Sequence, residues 1–324
     1  MPATITLANG VTFELAERRS ILDSAAAANV ILEYSCRTGR CGVCRARVKV
    51  GSTIALKPEI SLTAKDSVEG VILTCCRTTE SDLTLEIEDI SALAGIEVRT
   101  TACRIDAIES VTGDVLRVVL RLPPRTPLAY LPGQHVQMIR GELRRSYSIA
   151  NAPRPDGRLE LLIKRVPGGA FSQYWFEEAR ANDLLRLEGP LGTFFLRDDP
   201  TPRTVMLATG TGVAPILALL EQIEAGDNRR PVTLYWGGRR PEDLYIDIGA
   251  LFPWVDYRPC LSRSSAGWNG LRGYVQDEFL RAERFDDVVI YACGSNAMID
   301  DTRTALVAKG LPERRFHSDA FVQS

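Results

Sequence analysis

Five of the chain's eight cysteines fall between positions 36 and 76, and Cys103, Cys260 and Cys293 are scattered. Cys36-Arg-Thr-Gly-Arg-Cys41-Gly-Val-Cys44 has the spacing C-x4-C-x2-C, followed far downstream by Cys75-Cys76. Two irons bridged by sulfide need four thiolates on one small object, so three come from a tight loop and one from a remote segment. Gly39 and Gly42 let the loop turn inward, freeing backbone N–H groups to point at the sulfurs and help set the reduction potential. Structural zinc sites usually pair two short CxxC knuckles, and here the second is missing. Only one of Cys75 and Cys76 can be the fourth ligand. In Val71-Ile-Leu-Thr-Cys75-Cys76, strand alternation would turn Cys75 and Leu73 to one face and Cys76 to the other.

Further segments suit dinucleotides. Arg145-Ser-Tyr147-Ser148-Ile-Ala-Asn151 combines a guanidinium, an aromatic ring and a small hydroxyl. A flavin dinucleotide asks for these: a cation to grip its pyrophosphate bidentately, a ring to cover its planar ring system, and a small polar neighbour for N5. Val166-Pro-Gly168-Gly169-Ala-Phe-Ser172 offers glycines for close backbone approach, leading into a helix whose N-terminus favours anions. Ala208-Thr209-Gly210-Thr211-Gly212-Val-Ala214-Pro215 follows an apolar run and opens a helical one, so a second pyrophosphate could approach there. It lacks the third glycine of GxGxxG. Trp236-Gly-Gly-Arg239 and Tyr291-Ala-Cys293-Gly294-Ser-Asn-Ala-Met298 end two further strand-like runs, where open sheets bind ligands.

The elements that must position these residues group into three modules, 1–93, 98–199 and 200–324. The first reads as β-rich: Ile5–Leu7 and Thr12–Leu15 flank the turn Asn9-Gly10. A helix follows with Ser20 as N-cap and Asp23 as capping-box partner, then strands Ala46–Val50 and Leu83–Ile87. The second alternates strands such as Val115–Leu122 and Leu159–Val166 with Pro/Gly turns, which suggests a small barrel. In the third, strands Thr204–Ala208, Val232–Trp236 and Asp287–Ala292 alternate with helices 214–225, 275–284 and 297–309, implying a parallel α/β sheet. Asp89–Glu97 and Asp198–Arg203 read as linkers. The 324 residues suffice for two or three cores. A net charge of -2 gives no nucleic-acid footprint. The most apolar stretch, Val205 to Leu220, is too short and interrupted to span a bilayer. No export signal is legible, so a cytoplasmic protein with redox or metal thiols is expected.

With these motifs in hand, the chain resembles the ferredoxin–FAD–NAD(P)H reductase components of Rieske-type aromatic-ring dioxygenase and monooxygenase systems, naphthalene dioxygenase reductase-like members of the ferredoxin–NADP reductase superfamily. The resemblance covers essentially the whole chain. It implies a multidomain α+β and α/β fold: an N-terminal β-grasp plant-type ferredoxin, an antiparallel β-barrel flavin domain and a C-terminal parallel α/β nucleotide-binding domain. It implies Cys36, Cys41, Cys44 and Cys75 as ligands of a [2Fe–2S] cluster, through the Leu-Thr-Cys ending of plant-type ferredoxins. It implies that Arg145, Tyr147, Ser148, Gly168, Gly169 and Ser172 hold FAD, with Ser148 near N5. Gly210, Thr211, Gly212, Pro215, Arg239, Gly294 and Met298 would hold the nicotinamide dinucleotide, with Cys293 near its C4. Phe321 either shields the flavin or packs in the core. NADH is expected; NADPH stays open, because Arg239-Arg240 would attract a 2′-phosphate that Glu242 and Asp243 would repel. His135 is read as a strand residue.

The expected activity is oxidation of NADH and single-electron delivery through the cluster to a Rieske ferredoxin or terminal oxygenase, by a monomer that binds neither membrane nor nucleic acid. Two rivals stand beside it. One is a same-cofactor reductase serving a 3-deoxysugar dehydratase; the other is a redox carrier or sensor without turnover.

Overall fold

The computed structural model describes residues 3–321 apart from 17, 227–229, 283 and 286. Glu283, inside the predicted helix 275–284, and the outer module bounds Met1 and Ser324 lie outside the described residues. Two compact units emerge, one within the first 96 residues and one spanning Glu97–Phe321.

In the first unit, Thr4–Leu7 pairs antiparallel with Thr12–Glu14 and parallel with Leu83–Glu86. Arg45–Val50 and Val71–Leu73 complete a five-stranded mixed sheet. The register sets Ile5 opposite Leu83 and Leu7 opposite Leu85, all four buried. The helix Ile21–Ala27 adds Ile21, Leu22 and Ala25 to this core. Its N-cap is Ser20, which accepts from the Asp23 N–H. The predicted return bond takes another form: the Ser20 hydroxyl donates to the Asp23 carboxylate at 2.7 Å. A full capping box occurs instead at Thr63/Asp66, opening Ala64–Val68. The predicted linker 89–97 is partly folded, with the turn Ser91–Leu93, Leu93 buried, and the Ile90 N–H donating to Ile31 O at 2.7 Å.

The second unit carries two sheets. Six antiparallel strands run in the order Leu143–Ser148, His135–Arg140, Leu184–Leu191, Arg99–Thr112, Val115–Arg121, Leu159–Lys164. Period-2 patterning builds the interior, with Leu159, Leu161 and Ile163 buried between outward residues. The two edge strands meet through one bridge, Ile149 to Leu161, which closes the sheet into a barrel. Asn151 pins that seam: its Oδ1 accepts from the Glu160 N–H at 2.7 Å, and its amide donates to Arg158 O and Ala152 O.

The other sheet is parallel throughout, in the order Leu271–Arg272, Asp256–Leu261, Val232–Gly238, Arg203–Thr209, Val288–Gly294, Phe316–Ala320. Chain order reverses between Arg203–Thr209 and Val288–Gly294, the topological switch point where open sheets bind ligands. Three of its strands, Asp256–Leu261, Leu271–Arg272 and Phe316–Ala320, are not among the strands predicted from apolar runs. Glu221, on the helix Val213–Ala225, ties this half to the barrel through Ala152 N–H (2.9 Å) and Arg154 (2.7 Å).

Candidate functional site

The cysteine loop is built as its spacing implies. Gly39 and Gly42 both have positive φ, +76° and +68°, which glycine adopts without strain. A Cβ on Gly39 would collide with Pro58 O and lie 2.8 Å from Cys76 Sγ. Cys41, Cys44 and Cys75 are buried and Cys36 is half-buried. The thiols come in two pairs, Cys36 with Cys41 and Cys44 with Cys75, each joined by a side-chain hydrogen bond. That bond, with N–H donors from Thr38 and Arg40, brings the Cys36 thiol down to about 4. The bond from Cys44, with the Cys76 thiol and the Gly39 N–H, brings Cys75 down to about 6. Their partners Cys41 and Cys44 are pushed up by the same hydrogen bonds and by burial. The Cys36 N–H points at Cys41 Sγ (3.5 Å) and the Thr38 N–H at Cys36 Sγ (3.3 Å).

Among the described residues no three acidic, His or Cys side chains gather around a single ion. Two pairs of thiols suit two irons, each taking two thiolates, with N–H donors already aimed at the sulfurs. The residues therefore fit a [2Fe–2S] cluster.

One expectation needs correction. The strand Val71–Leu73 ends before the adjacent cysteines. Cys75 and Cys76 lie in a turn closed by the Cys76 N–H on Leu73 O (2.8 Å), so alternation does not separate them. Their sulfurs are 3.5 Å apart, and Cys76 Sγ points at Pro58 O (3.6 Å). Both are buried, and burial leads the causes that push the Cys76 thiol up to about 12.

In the second unit, Arg145, Tyr147 and Ser148 lie on the barrel strand Leu143–Ser148 beside the closing seam. Tyr147 meets the Gly-Gly segment: its ring stands edge-on to Phe171 and Trp175, centroids 6.2 Å away, and its hydroxyl accepts from Trp175 Nε1 at 3.1 Å. Burial pushes the Tyr147 phenol up to about 12. The structure thus brings the two segments expected to hold the flavin together. Gly168 has φ +72° and open space where a Cβ would stand. Ser172 is buried, and its hydroxyl accepts from the Val166 N–H at 2.9 Å, so it folds the loop itself. The helix after Gly169 is short, Ala170–Gln173, continuing as the wider turn Tyr174–Glu178. Its Phe171, Tyr174 and Trp175 are buried, so aromatic packing on the barrel sets its course.

Ser148 is buried opposite His135 on the neighbouring strand. His135 opens the strand His135–Arg140, as expected of a strand residue. It is also buried against Gly192, where an added Cβ would come within 2.7 Å of the imidazole Nδ1. Burial lowers its pKa against the raising pull of Asp319. No periodic pattern would have revealed that the charge of Asp319 acts on it.

At the switch point, the two glycines of Gly210-Thr211-Gly212 differ. Gly210 has φ +54° and open space beside it, while its carbonyl accepts from Trp236 Nε1 at 3.0 Å. A Cβ on Gly212 would run into Cys293 O, and one on Gly294 into Thr209 Oγ1. Gly212 and Gly294 therefore let two strand ends touch, and Gly210 leaves room for a ligand. Pro215 and Met298 are buried supports in the helices Val213–Ala225 and Asn296–Ala308. Arg239 is exposed just beyond Val232–Gly238, where the Asp243 carboxylate accepts from the Arg239 and Arg240 N–H groups (2.7 and 3.0 Å). Cys293 has no exposed surface, and burial with the Asp319 charge pushes its thiol well up. It shapes the switch point through the carbonyl that Gly212 packs against. Phe321 is 37 % exposed, and its N–H donates to Gly294 O at 2.9 Å.

Among the described residues no helix is long and apolar enough to cross a membrane.

Comparison with known proteins agrees with each part. The 2Fe-2S iron-sulfur cluster binding domain matches residues 5–79, the oxidoreductase FAD-binding domain residues 102–196, and the oxidoreductase NAD-binding domain residues 206–304. The CDP-6-deoxy-L-threo-D-glycero-4-hexulose-3-dehydrase reductase of Yersinia pseudotuberculosis is 39% identical over 98% of this chain and 97% of its own. The reductase component of the naphthalene 1,2-dioxygenase/salicylate 5-hydroxylase systems of a Ralstonia species is 31% identical over 94% of each. A solved structure, the ferredoxin reductase in carbazole 1,9a-dioxygenase, superposes with a TM-score of 0.70 over 99% of each chain at 28% identity. The chain therefore belongs to the ferredoxin-reductase-type oxidoreductases that join a [2Fe–2S] domain to FAD- and NAD-binding domains, the family that includes the reductase components of aromatic dioxygenase systems.

Proposed function

We propose that this enzyme delivers electrons to a dehydrase acting on a nucleotide-linked 4-keto-6-deoxyhexose, with NADH as the source. The observation that carries the acceptor is the 39% identity to the Yersinia dehydrase reductase along nearly all of both chains, against 31% for the Ralstonia oxygenase-system reductase. From sequence alone an oxygenase system stood first. It remains the second reading, supported by the Ralstonia relative and the carbazole dioxygenase reductase fold.

When bound, the cofactors supply hydride acceptance at the flavin and one-electron steps at the cluster. The chain's own residues bind and orient them. In this reading Cys36, Cys41, Cys44 and Cys75 ligate the irons, and the N–H groups of Cys36, Thr38 and Gly39 bond the sulfurs. Arg145 and the open Gly168 backbone hold the flavin pyrophosphate, Tyr147 walls the ring, and the Ser148 hydroxyl serves N5. Gly210 and Thr211 receive the second pyrophosphate, and Gly212, Gly294, Pro215 and Met298 keep the switch point in shape. Arg239 lies along the adenosine. The Asp243 carboxylate beside it supports NADH over NADPH, since a 2′-phosphate there would meet a negative charge. Modules 1–93, 98–199 and 200–324 carry the three cofactors in order. All eight cysteines are unbridged, which suits a reducing compartment such as the cytoplasm.

The test supplies NADH and this protein to a purified hexulose 3-dehydrase with its substrate and, separately, to a Rieske ferredoxin with its oxygenase. Deoxysugar formed only with this reductase present supports the first reading. Turnover with the oxygenase pair and none with the dehydrase would replace it by the second.

A further inference from the structure

We infer that residues 54–61 form a strap that docks the external electron acceptor, a protein presenting acidic residues around an apolar centre. The inference rests on the electron-delivery reading above. The strap begins with Ile54–Ala55, which pairs with Arg77–Thr78, and crosses the cysteine loop. The Leu56 N–H donates to Cys76 O at 2.8 Å, and the Ser61 N–H donates to Gly39 O at 3.1 Å. Lys57 Nζ donates to Arg37 O at 2.6 Å. Glu59 turns inward, accepting from the Leu73 N–H (2.6 Å) and pairing with Arg77 (2.6 Å). Polar groups of the strap thus face the loop, and the strap is held at both ends and in the middle.

Its apolar side chains face the other way. Ile54, Leu56 and Ile60 are 45%, 48% and 62% exposed, three large aliphatics within seven residues. An aliphatic patch on a rigid support, rimmed by polar residues, is the anatomy of a protein interface. The rim here is basic. Arg37, Arg40 and Lys57 are exposed, and among the described residues Lys57 has no ion-pair partner. The nearby acids Asp23 and Glu59 are each matched by one cation, Arg37 and Arg77, and the charge of Lys57 stands beyond those pairs. Charge of one sign around an apolar centre steers a partner of opposite sign and fixes its orientation. Electron transfer falls steeply with distance, so a partner seated here gains by lying over the loop that carries Cys36 and Cys41.

The experiment compares two haem proteins of opposite surface charge as probe acceptors, cytochrome b5 with its acidic haem rim and cytochrome c with its basic one. Lys57→Gln, which removes the charge and keeps a donor for Arg37 O, and Ile60→Ser are made in the full chain, with iron content and visible spectrum checked. We expect kcat/KM for cytochrome b5 to fall about fivefold or more in each variant, and its salt dependence to weaken in Lys57→Gln. Cytochrome c, which the same charge repels, is reduced at the wild-type rate or faster, and NADH-driven bleaching of the cluster stays within about twofold of wild type. Equal loss with both cytochromes, slowed bleaching of the cluster, or no loss with cytochrome b5 would each overturn the docking surface. A wild-type protein that bleaches with NADH yet reduces neither cytochrome would instead sink the electron-delivery reading, and the strap with it.

Discussion

At the scale of single residues, the cysteine loop distinguishes groups that look alike in sequence. Cys75 and Cys76 are neighbours with sulfurs 3.5 Å apart, yet only Cys75 bonds to Cys44. Cys75→Ser should therefore lose iron and acid-labile sulfide, and cytochrome c reduction with them, while NADH still reduces the flavin. Cys76→Ser should keep the cluster. Metal analysis and the visible spectrum decide it, and loss of iron from Cys76→Ser alone would reassign the ligand. Tyr147 gives a pH prediction. Burial raises its phenol from the ordinary 10 to about 12 in the fold, so the folded state holds that proton more tightly than the unfolded chain. Its contribution is complete below pH 10 and is lost as pH rises toward 12, at most about 2–3 kcal/mol. Urea midpoints measured across this range should fall, and fall less steeply in Tyr147→Phe.

At the scale of elements, the switch-point turn assigns different work to two glycines two residues apart. In Gly212→Ala the new methyl meets Cys293 O with no flexible side chain to yield, an overpacking cost of about 1–3 kcal/mol. Gly210→Ala meets open space and carries only the left-handed backbone penalty of about 1–2 kcal/mol. The first should lower Tm with a modest change in KM for NADH. The second should raise KM for NADH several-fold at a smaller cost in Tm. Thermal melts with steady-state kinetics on both variants check this, and an unchanged KM in Gly210→Ala would remove that turn from the nucleotide site. The barrel shows the same dependence on a few contacts, since Ile149–Leu161 and the Asn151 bonds are what close its seam beside Tyr147 and Ser148.

At the scale of the whole molecule, each compact unit has its own hydrophobic core, around Ile5, Leu73 and Leu85 in the first and around the barrel and parallel sheet in the second. The barrel and the parallel sheet are joined by Glu221 to Arg154 and Ala152 and by the Tyr291 hydroxyl, which accepts from the Arg197 N–H at 2.8 Å. A fragment starting at Glu97 should therefore fold, bind FAD and reduce ferricyanide with NADH. It should lose at least about nine-tenths of cytochrome c reduction, as expected where the one-electron carrier is gone. A fragment that reduces cytochrome c at the full rate would show that electrons leave without passing through the cluster.

Local spacing determined much of this protein. The cysteine pattern, the period-2 strands of the barrel and the glycine turns after buried strands all depend on residues close along the chain, where sequence and geometry are tied by fixed periods. Tertiary structure alone decided the rest, because it depends on pairing between distant segments. It set Cys293 beside Ala208 in register, let the Asp319 charge act on His135, closed the barrel at Ile149, and placed Cys75 and Cys76 in a turn. It also laid an aliphatic strap over the cysteine loop, where composition showed only an ordinary run of mixed residues.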